Sequence, residues 1–322
     1  MAPPPPPFDP ELAPALELLR DQSPERLTPE VIAAQRAAAA AHRPSPENLS
    51  CGGTFEVEER TAPGRNGSPD VDLLVLRPAH PGGPRPVLYY MHGGGMVMGD
   101  ATSGIERPQE WARELGLTVV SVDYRLAPEH PYPDPVEDCY AGLLWTAEHA
   151  AEIGGDADRL IVAGTSAGAG LAAATVLLSR DRNGPTPIGQ LLVCPMLDDR
   201  NDTPSAHQMA GHDLWDQSAN EVGWSALLGD LRGSDDVPPY AAPARATDLS
   251  GLPPTFIDVG SAETFRDEAV SYASGIWNAG GRAELHVWPG GFHSFDGLAP
   301  HAALSQAART ARLNWLRRLL GE

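Results

Sequence analysis

Four short stretches carry residues whose types and order suit acyl transfer. The first is GTSAG at 164–168, which follows the apolar run Leu160-Ile161-Val162 and sets one hydroxyl, Ser166, among small residues. Glycines permit close approach and unusual dihedrals, so a strand turning sharply into a helix here would present Ser166 at the turn. The plainer alternative is a helix N-cap serine. A serine hydroxyl is a weak nucleophile until a base takes its proton. Among ten histidines, His293 in PGGFHSF lies just past the last strand-like run, where sites in open sheets form. His286 lies inside that run, and His149 sits on a helix ahead of Ser166.

The base in turn needs a carboxylate to orient its ring. In the chain order serine, acid, histidine, that acid falls in FIDVGSAETFRDE. Asp258 lies within a strand run. Glu263 follows it by a few residues and opens a helix, while Asp267 and Glu268 are a turn further on. Glu263 is the geometrical choice, and Asp267 is the next candidate. Glu263 would also be a favourable charge at a helix N-terminus.

The fourth stretch, HGGG at 92–95, directly follows a strand-like run. Its glycines clear space for a carbonyl oxygen, so the Gly93 and Gly94 N–H groups can bind a tetrahedral oxyanion, with Ala167 N–H as a third donor. His92 is expected to hold this loop by hydrogen bonds. No second histidine or carboxylate stands at metal-site spacing from it, and neither glycine stretch has the lysine of a phosphate loop. No metal and no organic cofactor are expected. Each motif alone is common in a chain with 33 glycines, but three in this order, each just past a strand, point to a serine hydrolase.

The elements that must position these loops are read from periodicity. The proline run at 3–7 excludes a helix and reads as a loose, partly extended tail. A first helix puts Leu12, Ala15, Leu16 and Leu19 on one face. A second starts at Thr28-Pro29, runs to Ala41 and stops before Pro44 and Pro46. Strands are expected at 54–60 and 71–77 about a turn at 64–69, then at 87–90, 118–123, 159–163, 190–194, 255–259 and 283–288. Helices are expected at 107–115, 135–153, 167–179, 264–279 and 301–320. Short apolar strands alternating with helices indicate an α/β architecture, a mostly parallel sheet covered on both faces.

The polar segment 198–250 breaks that rhythm and offers one short helix near 220–228. Its Met209, Leu214, Trp215 and Trp224 are costly to leave in water. It is therefore expected to lie over the carboxyl edge of the sheet as a cap insertion, joined by cap helices within 1–45. The core would then comprise 46–197 and 251–322.

A formal net charge of −20 disfavours nucleic acid and anionic lipid as partners. Cys51, Cys139 and Cys194 are odd in number and far apart, which makes no disulfide framework. Cys194, in an apolar strand, reads as a small buried residue. The opening MAPPPPPFDP lacks the basic and apolar parts of a signal peptide, and no segment approaches about 18 apolar residues. No membrane association is expected, and a cytoplasmic location is the default.

HGGG at 92–95, YRLAPE at 124–129 followed by PYPDPVED, GTSAG at 164–168, ETFRDE at 263–268 and GFHSF at 291–295 carry a resemblance. Over nearly its whole length the chain resembles the bacterial hormone-sensitive-lipase family (family IV) of the α/β-hydrolases. The resemblance implies an α/β-hydrolase fold with an eight-stranded sheet and a helical cap. It implies Ser166 as nucleophile, His293 as base, and Gly93, Gly94 and Ala167 as oxyanion donors. Much of the family has GDSAG at the serine and aspartate as the acid, so Thr165 and Glu263 look like the GTSAG branch. Members are mostly carboxylesterases of short acyl esters, and many form homodimers. The implied activity is hydrolysis of a small-molecule ester through an acyl-enzyme. Alternatives are a specialised lactone, amide or natural-product ester hydrolase, or a non-catalytic ligand-binding member. Binding-only relatives usually lose part of a catalytic set that is complete here.

Overall fold

Eight strands form one sheet in the computed structural model, which describes residues 4–23, 26–65, 67–80 and 82–321. They are β1 (Phe55–Ala62), β2 (Val71–Pro78), β3 (Arg85–Met91), β4 (Thr118–Asp123), β5 (Gly155–Thr165), β6 (Gly189–Val193), β7 (Thr255–Gly260) and β8 (Ala283–Trp288). The order across the sheet is β1-β2-β4-β3-β5-β6-β7-β8. β2 is antiparallel to both its neighbours, and every other pair is parallel. β3, β5, β6, β7 and β8 therefore leave the sheet at one common edge, where the HGGG loop, Ser166, Cys194 and the loops bearing Glu263 and His293 all begin.

The helices are α1 (Ala13–Gln22), α2 (Pro29–Ala41), α3 (Pro46–Leu49), α4 (Glu106–Leu115), α5 (Asp134–Glu148), α6 (Ala167–Asp181), α7 (Pro204–Gln208), α8 (Gln217–Leu228), α9 (Arg266–Asn278), α10 (Phe295–Leu298) and α11 (Ala303–Leu320). Strand alternation divides the core. Val87, Tyr89 and Met91 of β3 share a cluster with Leu143 of α5, Leu171 of α6 and Ile276 of α9. Leu88 and Tyr90 turn the other way, toward Trp111 of α4 and Trp315 and Leu316 of α11. Each large apolar side chain buried this way contributes roughly 1.5–3 kcal/mol. A third cluster packs Leu12, just before α1, and Leu16 of α1 against Phe292 and Phe295, on either side of His293. The first helix thus supports the loop of the expected base.

The segment carrying α7 and α8 lies over the strand exits as a helical cap. Gly223 of α8 approaches Gly95, and Tyr132 N–H donates to Leu227 O at 2.9 Å. Three expectations need correction. The helix expected at 135–153 ends at Glu148, and Gly154, at φ 68°, lets the chain reverse into a longer β5. α9 starts at Arg266, so Glu263 sits on the connecting turn ahead of the helix. The proline run is anchored rather than loose: Gln208 Nε2 donates to Pro4 O at 3.2 Å, and just after the run Phe8 packs on the third cluster and Asp9 N–H donates to Gly290 O at 3.0 Å. Pro3 of the proline run lies outside the described residues, as does Asn66 of the turn at 64–69. The short α3, α7 and α10 carry no readable period at four or five residues each. No helix among the described residues is long and apolar enough to cross a membrane.

Candidate active site

Ser166 stands between the end of β5 and the start of α6 at φ 59° and ψ −123°. A positive φ is uncommon for a residue with a side chain and is held here by its surroundings. Ser166 N–H donates to Val193 O at 2.8 Å, and Ser166 O accepts the N–H of Met196 at 3.1 Å. The flanking glycines are sterically required. A Cβ at Gly164 would come within 2.2 Å of Gly168 O, and one at Gly168 within 2.2 Å of Met91 O and His92 O. The sharp turn that the spacing implied is thus wedged between β3 and β6.

The structure brings Ser166, His293 and Glu263 into one hydrogen-bonded line. Ser166 Oγ lies 2.9 Å from His293 Nε2, and His293 Nδ1 lies 3.1 Å from Glu263 Oε1. The other Glu263 oxygen accepts Gly260 N–H at 2.8 Å, which fixes the carboxylate. All three side chains are buried. With Nδ1–H donated to Glu263, Nε2 is free to accept the serine proton. Burial pulls the His293 pKa down. The Cys194 sulfur, together with the hydrogen bond and charge of Glu263, outweighs burial and holds it well above the ordinary histidine value.

Gly93 is close to the nucleophile: a Cβ there would lie 3.4 Å from Ser166 Cβ. Among the described residues, no protein acceptor pairs with the N–H of Gly93, Gly94 or Ala167. Gly93 and Gly94 are half-buried and line a cavity, where a ligand or water can meet their N–H groups, and Ala167 is buried beside them. Such a trio beside a serine can stabilise an oxyanion. The YRLAPE stretch builds this loop from below. Tyr124 OH donates to His92 O at 2.8 Å, and its ring stacks on the His92 imidazole at 4.1 Å. His92 Nδ1 is 2.8 Å from Gly93 O, and burial pushes its pKa down to about 4. Arg125 of the same stretch grips Asp138 and Asp134 of α5, and Glu129 pairs with Arg36 of α2. Arg36 also donates to Val97 O at 2.6 Å.

The other acids of FIDVGSAETFRDE are engaged elsewhere. Asp258 pairs with Arg312 and accepts Trp288 Nε1–H at 3.0 Å. Asp267 accepts Ser205 N–H at 2.8 Å, and Glu268 accepts Leu197 N–H at 2.7 Å. His286 stacks on Trp288 and pairs with Glu284, and His149 stacks on Trp145.

Three features escaped the sequence reading. Cys194, at φ 38° just past β6, places its sulfur so that single ligand atoms of Cys194, Glu263 and His293 all lie within 4.8 Å of one another. Arg107 on α4 donates to Thr165 Oγ1 at 3.0 Å and to both Asp296 oxygens at 3.1 Å. Asp213 of the cap presents both carboxylate oxygens to His293 N–H at 3.2 Å. Burial, with the nearby Glu263 charge, pushes Asp213 up to about 7, although His293 and the bonded N–H groups oppose this. None of the three has a motif. Only the position of Cys194 at a strand exit was a usable signal.

Two cavities adjoin these loops. One, of about 740 Å³, is lined by Gly93, Gly94, Met98, Arg107, Thr165 and Ser294. The other, of about 1010 Å³, lies between α1, α2 and the Asp213–Trp215 turn. Both are large enough for a small organic ligand.

Comparison with known proteins agrees with this geometry. A family described as having the alpha/beta hydrolase fold matches residues 88–297. Carboxylesterase NlhH of Mycobacterium tuberculosis is 35% identical over 293 residues, covering 90% of each chain. The solved structure of a bacterial heroin esterase superposes with a TM-score of 0.88 at 40% identity, over 97% of this chain and 98% of that one. Esterase LipW from Mycobacterium marinum gives 0.85 at 34% identity, over 97% and 96%.

Proposed function

The chain belongs to the alpha/beta hydrolase fold family and is a serine carboxylesterase acting through an acyl-enzyme, and from that premise we propose the division of labour in its site. Ser166 attacks the ester carbonyl. His293 takes its proton and then delivers it to the leaving alcohol. Glu263 orients the ring and stabilises the imidazolium. Gly93, Gly94 and Ala167 N–H groups hold the oxyanion. Water, activated by the same histidine, then releases the acid. The observation that carries this assignment is the unbroken line from Ser166 Oγ through His293 to Glu263.

The substrate is read as a small ester with a short acyl chain. Support comes from the bulky cap over the strand exits, where Trp215 crowds Gly95. Acyl esters of p-nitrophenol from acetyl to dodecanoyl decide it. The rate should peak at or below the octanoyl ester and vanish in S166A. A clear preference for the dodecanoyl ester would overturn the chain-length reading, and turnover by pure S166A would overturn the site.

Thr165 and Glu263 favour placement in the GTSAG branch of the hormone-sensitive-lipase group. We read residues 198–250 and 1–45 as a cap on a core of 46–197 and 251–322, supported by the packing of α1 and α8 around the catalytic loops. A second copy of the chain is the proposed partner. The sheet ends at β8, where Val287 is 39% exposed and neighbouring Trp277 46%, and sedimentation would show the dimer.

A further inference from the structure

Residues 213–215 form a turn in the cap that touches the His293, Glu263 and HGGG loops. Asp213 accepts His293 N–H with both oxygens, each at 3.2 Å. Trp215 O accepts the hydroxyl of Thr264, the neighbour of Glu263, at 2.8 Å. The Trp215 ring lies over Gly95 of the HGGG loop, where a Cβ would come within 2.1 Å of Cη2. The turn is itself tied down on both sides. Arg20 of α1 donates to Gly211 O at 2.7 Å, and Trp215 Nε1 donates to Asn220 of α8 at 3.3 Å.

Asp213 is an expensive residue to place there. It is buried, and its bonded partners among the described residues are backbone N–H groups, of His293 and Leu214. The charged groups facing it are Glu263, which repels its negative form, and His293. A buried carboxylate without a cationic hydrogen-bond partner is strongly disfavoured. Stability alone would favour an apolar side chain at this position.

We propose that the 213–215 turn is a positioning strap, in which Asp213 sets the His293 loop while Trp215 sets the Glu263 and HGGG loops against it. Asp213 is a positioning residue: it acts on the reaction through the main chain of His293. The strap also walls the cavity of about 1010 Å³ beside α1 and α2, so the alcohol or acyl part of a substrate held there would press on the same element. A misplacement of even about 1 Å in a catalytic group lowers rates by about a hundredfold, so modest loosening should be visible in turnover.

The inference rests on the Ser166–His293–Glu263 assignment, and the test separates the two. The full-length chain is assayed on p-nitrophenyl acetate as D213A, D213N, T264V and S166A, with Ser166 labelling by a fluorophosphonate in parallel. D213A removes the acceptor of both N–H groups. Its kcat and labelling rate should fall about tenfold or more while KM stays within about twofold. D213N keeps one oxygen able to accept both N–H groups and should stay within about threefold of wild type. T264V cuts the link to the acid loop and should lower kcat by about threefold or more at unchanged KM. A folded D213A with wild-type kcat and labelling rate, or a D213N as impaired as D213A, overturns the proposal. If D213A does not fold, T264V decides, and wild-type turnover there is equally fatal. Turnover by S166A would instead sink the triad assignment, whatever Asp213 does.

Discussion

Arg107 and Asp296 are joined by two hydrogen bonds of 3.1 Å, and this pair ties the loop of Ser166 to the loop of His293. Arg107 also donates to Thr165, the residue before the serine, while Asp296 follows the histidine by three positions and pairs again with Arg312. Burial alone would raise the Asp296 pKa, but the two guanidinium groups outweigh it and hold the carboxyl far below its ordinary range. A depressed carboxylate contributes stability above its unfolded pKa of about 3.9 and loses it as pH falls through the folded value. At neutral pH the contribution is therefore in full force.

Removing one partner of this buried cluster should be severe. Arg312→Met strips Asp258 of its cation and leaves Asp296 with Arg107 alone, and Arg107→Met leaves Asp296 with Arg312 alone. Breaking a buried pair in this way costs about 3–5 kcal/mol. Urea denaturation at pH 7 checks it. Losses below about 1 kcal/mol for both variants would mean that solvent reaches the cluster.

Glu263→Gln keeps the shape of the acid but removes the charge facing His293. A loss of roughly 10²–10⁴ in kcat with little change in KM is expected. D267N should act on stability, since Asp267 holds the start of α7 through Ser205 N–H. D258N should do the same through Arg312. Side-by-side kcat values decide. A crippled D267N or D258N beside a near-normal E263Q would transfer the acid role.

Much of this site was legible because each motif sits at a parallel-strand exit, and a parallel sheet gathers its exits along one edge. Chain order plus strand position was enough to select Glu263 over Asp258. The strap and Arg107 were not legible for a physical reason. Their roles come from contacts between elements far apart in sequence, such as Asp213 with His293 and Arg107 with Asp296. In a chain with 43 acidic residues, no spacing distinguishes one such aspartate from the rest. The over-long helix at 135–153 arose likewise, because Ala150 and Ile153 are buried in turns rather than on a helix face.

The two glycines proposed to hold the oxyanion should respond differently to alanine. Gly94 has φ 117°, and a Cβ would meet Met98 O at 2.2 Å, so G94A must distort the loop. At Gly93 the nearest atom would be Thr165 O at 3.1 Å, which a small shift relieves. G94A should lose about 3–4 kcal/mol of transition-state stabilisation, seen in kcat far more than in KM. G93A should lose less. Equal effects, or an effect of G94A confined to KM, would make the loop a substrate-binding feature instead.

The pH profile tests the electrostatics of His293 directly. The base works only when its Nε2 is unprotonated, so the active fraction rises with pH through the histidine pKa. Burial favours the neutral ring, but Cys194 and Glu263 outweigh it and hold that pKa well above the ordinary value of about 6.5. The acid limb of kcat/KM should therefore lie above pH of about 6.5, since that ratio reports the free enzyme. Removing the Glu263 charge weakens the imidazolium, so in E263Q the limb should move to lower pH even as the plateau falls. Asp213 lies close by, and burial pushes its carboxyl up to about 7, into the same region. The D213N profile separates them. If the limb belongs to His293, it persists in D213N and shifts in E263Q. A limb that disappears in D213N and is unmoved in E263Q would belong to the cap aspartate, and the assignment of the profile to His293 would fall.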